Sequence, residues 1–238
     1  MKFSKEDERY LSRRKSLSQA WGAREIWSVM DHWPLYVGVR NLARYLAIAD
    51  LLRATLTVPG HIAEFGSWRG ANLMFMTKLL KIYDPGCGKL VHCFDSFEGL
   101  TSFAAEDGAA AEQRGAYRGV PGELEECIGL YDLDDDIVIH QGLIQETLAA
   151  VLQDDPGLSF SFVYCDTDLY EPTKLILESL HDRLSKGGLF VLDEWNFAKW
   201  PGESLAVRSF MQERGSCYEM LHVPRSAQPS LVLKKIAC

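Results

Sequence analysis

The chain has 238 residues, 47% hydrophobic and 24% charged, with 33 Asp and Glu against 25 Lys and Arg for a formal charge of -8. That balance is ordinary for a globular protein and excludes disordered, collagen-like and coiled-coil classes, and it argues against a surface built to grip nucleic-acid phosphates. No stretch approaches the roughly 18 to 20 apolar residues of a membrane span, and the first residues lack the apolar run of a signal peptide, so a soluble, cytoplasmic protein with no nucleic-acid or membrane partner is expected.

Residues 1 to about 20 are charged and poor in large apolar groups, which predicts a partly ordered arm. From Trp21 to Leu56 apolar positions recur at helical spacing (Leu42, Tyr45, Leu46, Ala49, Leu52, Leu56), broken by Pro34 and stopped by Pro59-Gly60. The aromatic residues of this segment, Trp21, Trp27, Trp33 and Tyr36, offer a surface for a homodimer. After Pro59 short apolar runs alternate with helical stretches. Strands are expected at His61 to Phe65, Leu90 to Phe94, Ile137 to Ile139, Phe160 to Cys165 and Leu189 to Leu192, and helices at Ala71 to Tyr83, Thr173 to Leu184 and Glu203 to Arg214. The runs are apolar throughout, as strands covered on both faces require, and the β/α alternation predicts a doubly wound, mostly parallel sheet. Residues 102–130 read as a loop with short helices. The end of the chain, Tyr218 to Val223 and Ser230 to Ile236, leaves no room for a helix between its runs and predicts a hairpin that adds one antiparallel strand. The organisation expected is therefore an arm and helical cap over 1–58 and an α/β domain over 59–238. The six cysteines show no metal or redox spacing and read as thiols of a reducing compartment, with Cys93 and Cys165 buried.

In an open α/β sheet ligands bind beyond the carboxyl ends of the strands. After the first strand stands Glu64-Phe65-Gly66-Ser67-Trp68-Arg69-Gly70, a glycine turn opening a helix, which suits close approach of a ligand to the backbone but lacks the Gly-x-Gly-x-x-Gly of a dinucleotide dehydrogenase. After the second stands Asp95, placed to accept the hydroxyls of a ribose or to cap a helix. Asp166 and Asp168 follow the Phe160 strand, and Asp193 and Glu194 follow the next. Four carboxylates around one crevice require a proton or a cation, and an all-oxygen set suits a hard ion such as Mg²⁺, Ca²⁺ or Mn²⁺; capping of the following helices is the plainer alternative. His61, His92 and His140 read as structural histidines, whereas His32, beside Trp33, Tyr36 and Arg40, would face the crevice if the cap folds over it. Walker A, Gly-x-Ser-x-Gly and His-Glu-x-x-His motifs are absent.

These residues carry a resemblance. Glu64-x-Gly66-x-Trp68-Arg69-Gly70, Phe94-Asp95-Ser96-Phe97-Glu98-Gly99-Leu100, Asp166-x-Asp168-Leu169-Tyr170-Glu171-x-Thr173, Gly187-Gly188, Asp193-Glu194 and Trp200-Pro201-Gly202 resemble the macrocin O-methyltransferase family, which acts on sugar hydroxyls of natural products. The resemblance runs from about Pro59 to the C-terminus. It implies a class I, Rossmann-like fold binding S-adenosylmethionine with Mg²⁺ and acting on a small-molecule glycoside. It further implies Asp166, Asp193 and Glu194 as metal ligands, Gly66 through Asn72 (Ser67, Trp68, Arg69 and Gly70 among them) with Glu64 around the methionine part of the cofactor, and Asp95 at the ribose. Ser96, Phe97, Gly142, Leu143 and Ile144 would border the adenine. The chain has Arg69-Gly70-Ala71 where the family has Arg-Gly-Gly, and Asp193-Glu194-Trp195 where it has Asp-Asp-Tyr. Trp195 and Trp200, with Asp168, His32, Tyr36 and Arg40, are candidates for the acceptor pocket.

Methyl transfer from a sulfonium is an in-line displacement, so an oxygen nucleophile must be aligned and deprotonated. Asp166 is the first candidate for proton acceptor, with Asp168 or His32 behind it. A metal-dependent nucleotide-sugar glycosyltransferase using Asp166-x-Asp168 is the alternative enzyme, and a noncatalytic binding module the alternative outside enzymes.

Overall fold

The structure, a computed structural model, describes residues 4–238. The apolar runs become strands β1 (His61–Phe65), β2 (Val91–Asp95), β3 (Ile137–Gln141), β4 (Phe160–Cys165), β5 (Leu184–Leu192), β6 (Tyr218–His222) and β7 (Leu231–Lys235). They form one sheet in the order β3-β2-β1-β4-β5-β7-β6. β1 to β5 pair in parallel, and β7 runs antiparallel to both β5 and β6, as the terminal hairpin predicts. All six residues of β4 are buried, because a central strand has both faces covered.

Two cores flank the sheet. On one face α3 (Val39–Ala54), α4 (Ala71–Tyr83) and α5 (Pro121–Leu130) bring Ile48, Leu52, Leu73, Met76, Leu124 and Ile128 against Ile62, Phe162, Tyr164 and Val191. On the other, α6 (Ile144–Asp154), α7 (Tyr170–Leu180) and α8 (Pro201–Arg214) bring Leu148, Ile176, Leu177, Val207 and Phe210 against Phe65, Val163, Cys165, Phe190 and Leu192. Strand alternation therefore turns Tyr164, and by the same period Asp193 beyond Leu192, toward the face that carries α3.

Several expectations are corrected. Residues 4–21 form an 18-residue helix, α1 (Ser4–Trp21), rather than a partly ordered arm. The segment is free of Gly and Pro and rich in good helix formers, and Tyr10 anchors it, donating its hydroxyl to the Tyr36 carbonyl at 2.9 Å. Residues 1–3 and the Trp21 side chain lie outside the described residues. The cap continues through α2 (Ile26–Asp31), a 3-10 turn at Trp33–Leu35 that contains Pro34, and α3. α6 was not anticipated, although Ile144, Leu148, Val151 and Leu152 recur at helical spacing. α7 ends at Leu180 and β5 begins at Leu184, five residues before the expected start, because a register shift opposite Phe160–Phe162 and the positive φ of Gly187 let the strand pass through Gly187-Gly188.

Cys93 and Cys165 are buried thiols as expected, whereas Cys217 and Cys238 form a disulfide that their wide spacing does not announce. The pairing follows from the sheet, since the Ile236 N–H donates to the Cys217 carbonyl at 2.8 Å and brings the end of β7 beside the start of β6. No helix among the described residues is long and apolar enough to cross a membrane. With the cysteines 21 positions apart in sequence, Cys238→Ser is expected to cost about 3 kcal/mol in urea denaturation under oxidising conditions. The wild type in dithiothreitol should then match the variant.

Candidate active site

The carboxyl ends of β1, β2, β4 and β5 open onto a cavity of about 290 Å³, whose walls include Gly66, Trp68, Phe94, Asp95, Ser96, Tyr117, Gly142, Leu143, Ile144, Asp166, Asp168, Glu194, Arg44 and Gln228. The glycine turn after β1 and the acids after β4 and β5 thus share one space.

On the β1 and β2 side the backbone is tightly set. Gly66 has φ +85° and a Cβ there would lie 2.0 Å from the Asp166 carbonyl oxygen, so only glycine lets β1 turn this close to β4. Asp95 accepts from the Trp68 N–H and the Phe97 N–H, both at 2.7 Å, one on each oxygen. It therefore acts as a cap joining two turns, and each oxygen keeps a further lone pair. Glu64 is 1% exposed, with Ser67 and Asn72 beside it, yet neither carboxyl oxygen has a partner in hydrogen-bonding geometry. Gly70 caps α4, and Phe97 is buried with φ +58°. Arg69 points away from the cavity and pairs with Glu123 of α5.

The far wall is residues 99–117, held by a residue the sequence did not flag. Asp107 is fully buried, accepting from Tyr170 N–H and Ala104 N–H at 2.8 Å each. Gly202 has no room for a Cβ, which would sit 1.9 Å from Asp107 Oδ1, while Trp200 is buried near Tyr117. The Trp-Pro-Gly motif thereby seats this wall on the start of α8. Trp195 is half-buried under Arg208 and packs on the core, outside the cavity lining.

On the β4 and β5 side, oxygens of Asp166, Asp168 and Glu194 converge within 4.8 Å of one another. Asp168 is 7% exposed with φ +61°, a strained backbone of the kind that collects at functional sites. Asp193, also expected as a ligand, is fully buried and already engaged: Tyr164 donates to Oδ1 at 2.5 Å, and Gln228 (3.0 Å) and Arg44 donate to Oδ2. Arg44 also lies 3.6 Å from Asp166. Gln228 donates to Glu194 at 2.5 Å and accepts from Arg40, which pairs with Asp7 at 3.3 Å. Glu203, buried on α8, accepts from the Glu194 N–H at 2.7 Å. Glu194 Oε2 and Glu203 Oε2 are buried without partners. Burial first, and Asp193 second, push Glu194 up to about 11 and Asp168 up to about 7, and raise Asp166 against the opposing Arg44.

Of the cap candidates, only Arg40 reaches this network. His32 is exposed and bonds the Ser28 carbonyl at 3.0 Å, and Tyr36 supplies its carbonyl to Tyr10; neither lines the cavity. His61, His92 and His140 lie within the sheet, His61 accepting from Leu90 N–H and His92 facing His140 at 2.9 Å. Arg44, Gln228, Tyr164 and Asp107 are the site residues sequence reasoning missed. A charge at Arg44, one helical turn before the buried Ile48, was the one available signal.

A family model described as Macrocin-O-methyltransferase (TylF) matches residues 16–227. The chain belongs to the macrocin O-methyltransferase family. It is 31% identical over 178 residues, 71% of this chain and 64% of the relative, to the 8-demethyl-8-(2,3-dimethoxy-alpha-L-rhamnosyl)-tetracenomycin-C 4'-O-methyltransferase of Streptomyces olivaceus. It is 30% identical over 146 residues, 58% of this chain and 53% of the relative, to demethyldecarbamoylnovobiocin O-methyltransferase of Streptomyces niveus. The matched stretches thus span less than two thirds of these curated relatives' length. Among solved structures, CalS11, calicheamicin methyltransferase, superposes with a TM-score of 0.82 at 26% identity, covering 96% of this chain and 92% of that one. The sheet is therefore a class I methyltransferase fold, and the glycosyltransferase alternative finds no support.

Glu64 makes a pH prediction. Burial, with Asp95 adding, pushes its carboxyl up to about 7 from an ordinary 4.5. The folded state keeps a proton that the unfolded chain releases, so the contribution to stability is full below the unfolded value and is lost as pH rises through the folded one. The thermal midpoint of the ligand-free protein should fall between about pH 5 and pH 7, and Glu64→Gln should fall less steeply by on the order of 3 kcal/mol.

Proposed function

We propose that the protein is an S-adenosylmethionine-dependent O-methyltransferase that uses a hard divalent ion and acts on a sugar hydroxyl of a glycosylated natural product, in the cytoplasm. The observation that carries this reading is that the glycine turn with Asp95 and the convergent acids Asp166, Asp168 and Glu194 face one cavity. Family membership and a relative named for methylating a rhamnosyl-tetracenomycin support it.

The acids fit a divalent ion. They are all-oxygen donors, and Glu194 Oε2 is buried without a partner, a state that costs free energy unless a cation or proton satisfies it. Asp166, Asp193 and Glu194 would hold the ion. When bound, S-adenosylmethionine supplies a methyl group on a sulfonium and the ion a fixed positive charge beside the acceptor oxygens. The protein's own groups do the rest. Asp95, aimed by two backbone N–H groups, directs its free lone pairs at ribose hydroxyls. Phe94, Ser96, Gly142, Leu143 and Ile144 line the part of the cavity that suits a flat base, and Glu64, buried beside Ser67 and Asn72 and outside that lining, is the acid proposed for the methionine amino group once it gives up its proton. Asp166 is the first proton acceptor proposed, with Asp168, which converges on the same place, behind it.

Asp166→Ala should abolish methyl transfer while calorimetry still detects cofactor binding, and Asp168→Asn should lower kcat by about 10² to 10⁴. Mass spectrometry across a panel of glycosides, reading the gain of one CH₂ unit, measures both and identifies the acceptor. Undiminished activity of Asp166→Ala in EDTA would overturn the ion's role.

A homodimer through the cap is part of the same proposal. Ile26, Trp27, Leu35, Val39 and Leu46 are exposed there, and apolar side chains gathered on one surface mark interaction sites. Light scattering should return twice the chain mass, and Trp27→Glu with Leu46→Glu the single mass.

A further inference from the structure

α3 aims a cation at the place where two of the proposed metal ligands meet. Arg44, Ile48 and Leu52 recur every fourth residue on one face of α3; Ile48 and Leu52 are buried in the core, and Arg44 continues the stripe beyond the strand ends. Its guanidinium contacts Asp193 and lies 3.6 Å from Asp166. Arg40, one turn earlier on the same helix, joins Gln228, whose amide donates to both Asp193 and Glu194. The acids are therefore neutralised and bonded by side chains of the cap and of the β6–β7 hairpin.

We infer that Arg44 is a built-in counter-cation that occupies the divalent ion's place on Asp166 and Asp193 and must be displaced for the ion to bind, so that metal loading releases the cap from the site. The inference rests on the metal reading above. Three features support it. A guanidinium offers donors to carboxylates but no electron pair to a metal, so it competes with the ion and cannot join it. A single and a double positive charge brought onto the same oxygens repel. Arg44 also lines the cavity, so it has open space to move into. The Arg40–Asp7 pair carries the same displacement to α1.

The test is Mn²⁺ binding to the full-length protein without acceptor, read by the electron paramagnetic resonance signal of the free ion, in wild type, Arg44→Met and Arg44→Lys. Met keeps the length of the apolar stem and removes the charge. Arg44→Met should bind Mn²⁺ about tenfold more tightly, a coupling of ordinary size, with Arg44→Lys in between. In wild type, Mn²⁺ should speed hydrogen exchange of the backbone around Tyr36, Gly38 and α1, a readout that stands if Arg44→Met fails to fold. Equal or weaker binding by a folded Arg44→Met, or unchanged exchange in metal-loaded wild type, overturns the inference and leaves the metal reading intact. Absence of Mn²⁺ binding by all three proteins overturns the metal reading and the inference with it.

Discussion

The crowding of carboxylates where β4 and β5 end is the constraint around which the site is arranged. Asp166, Asp168, Asp193, Glu194 and Glu203 gather there, and the last three are almost wholly withdrawn from water. Burial and mutual repulsion raise the affinity of Asp166, Asp168, Glu194 and Glu203 for protons, and a fold that brings these acids together is destabilised unless positive charge or hydrogen is supplied. Every neighbouring element contributes to that need. α3 supplies Arg44, β4 the Tyr164 hydroxyl, the hairpin the Gln228 amide and the backbone of Glu194 an N–H for Glu203. An inert fold gains nothing from this arrangement, since a well-packed apolar cluster would serve stability as well.

The same constraint sets like residues apart in how tightly they hold a proton. Asp168 and Glu194 are both buried carboxyls of one cluster, yet one is held near 7 and the other near 11. Asp168 has Lys199 and Arg44 as compensating charges, whereas Glu194 stands among Asp193, Asp166, Asp168 and Glu203. Like carboxyls of one cluster thus differ in how strongly they hold a proton, according to the burial and the charges that each one meets.

How far the sequence reads into this structure depends on the range of the interaction. His61 to Phe65 and Ala71 to Tyr83 are found as expected because local signals decide them: a short apolar run, then a glycine turn opening a periodic stretch. Asp95 and the β4 and β5 acids are legible because strand ends are where ligands bind in this topology. Arg44 and Gln228 are not, since Arg44 meets Asp193 across 149 residues and Gln228 meets Glu194 across 34, with nothing local to announce either contact. His32 illustrates the converse. Its company of Trp33, Tyr36 and Arg40 suggested a crevice residue, but the 3-10 turn containing Pro34 leaves it on the surface bonded to its own helix.

The segment from Asp193 to Glu203 joins the two halves of the cavity. Its first residues meet the cap and hairpin through Arg44 and Gln228, and its last meet the wall at residues 99–117 through Gly202 and Asp107. Glu203 ties the two together, because the helix that carries Gly202 also fixes the Glu194 backbone. A shift of the wall at residues 99–117 therefore moves the start of α8 and with it the Glu194 carboxylate, so the shape of that wall and the placement of the acids are set by one short piece of chain. This explains why the Trp-Pro-Gly motif needs its three residue types in sequence. Trp200 fills the core beneath Tyr117, Pro201 starts the helix without a lost donor, and Gly202 leaves the space that Asp107 occupies. Substitution of any one of them acts on both halves of the cavity at once, although none of the three lines it.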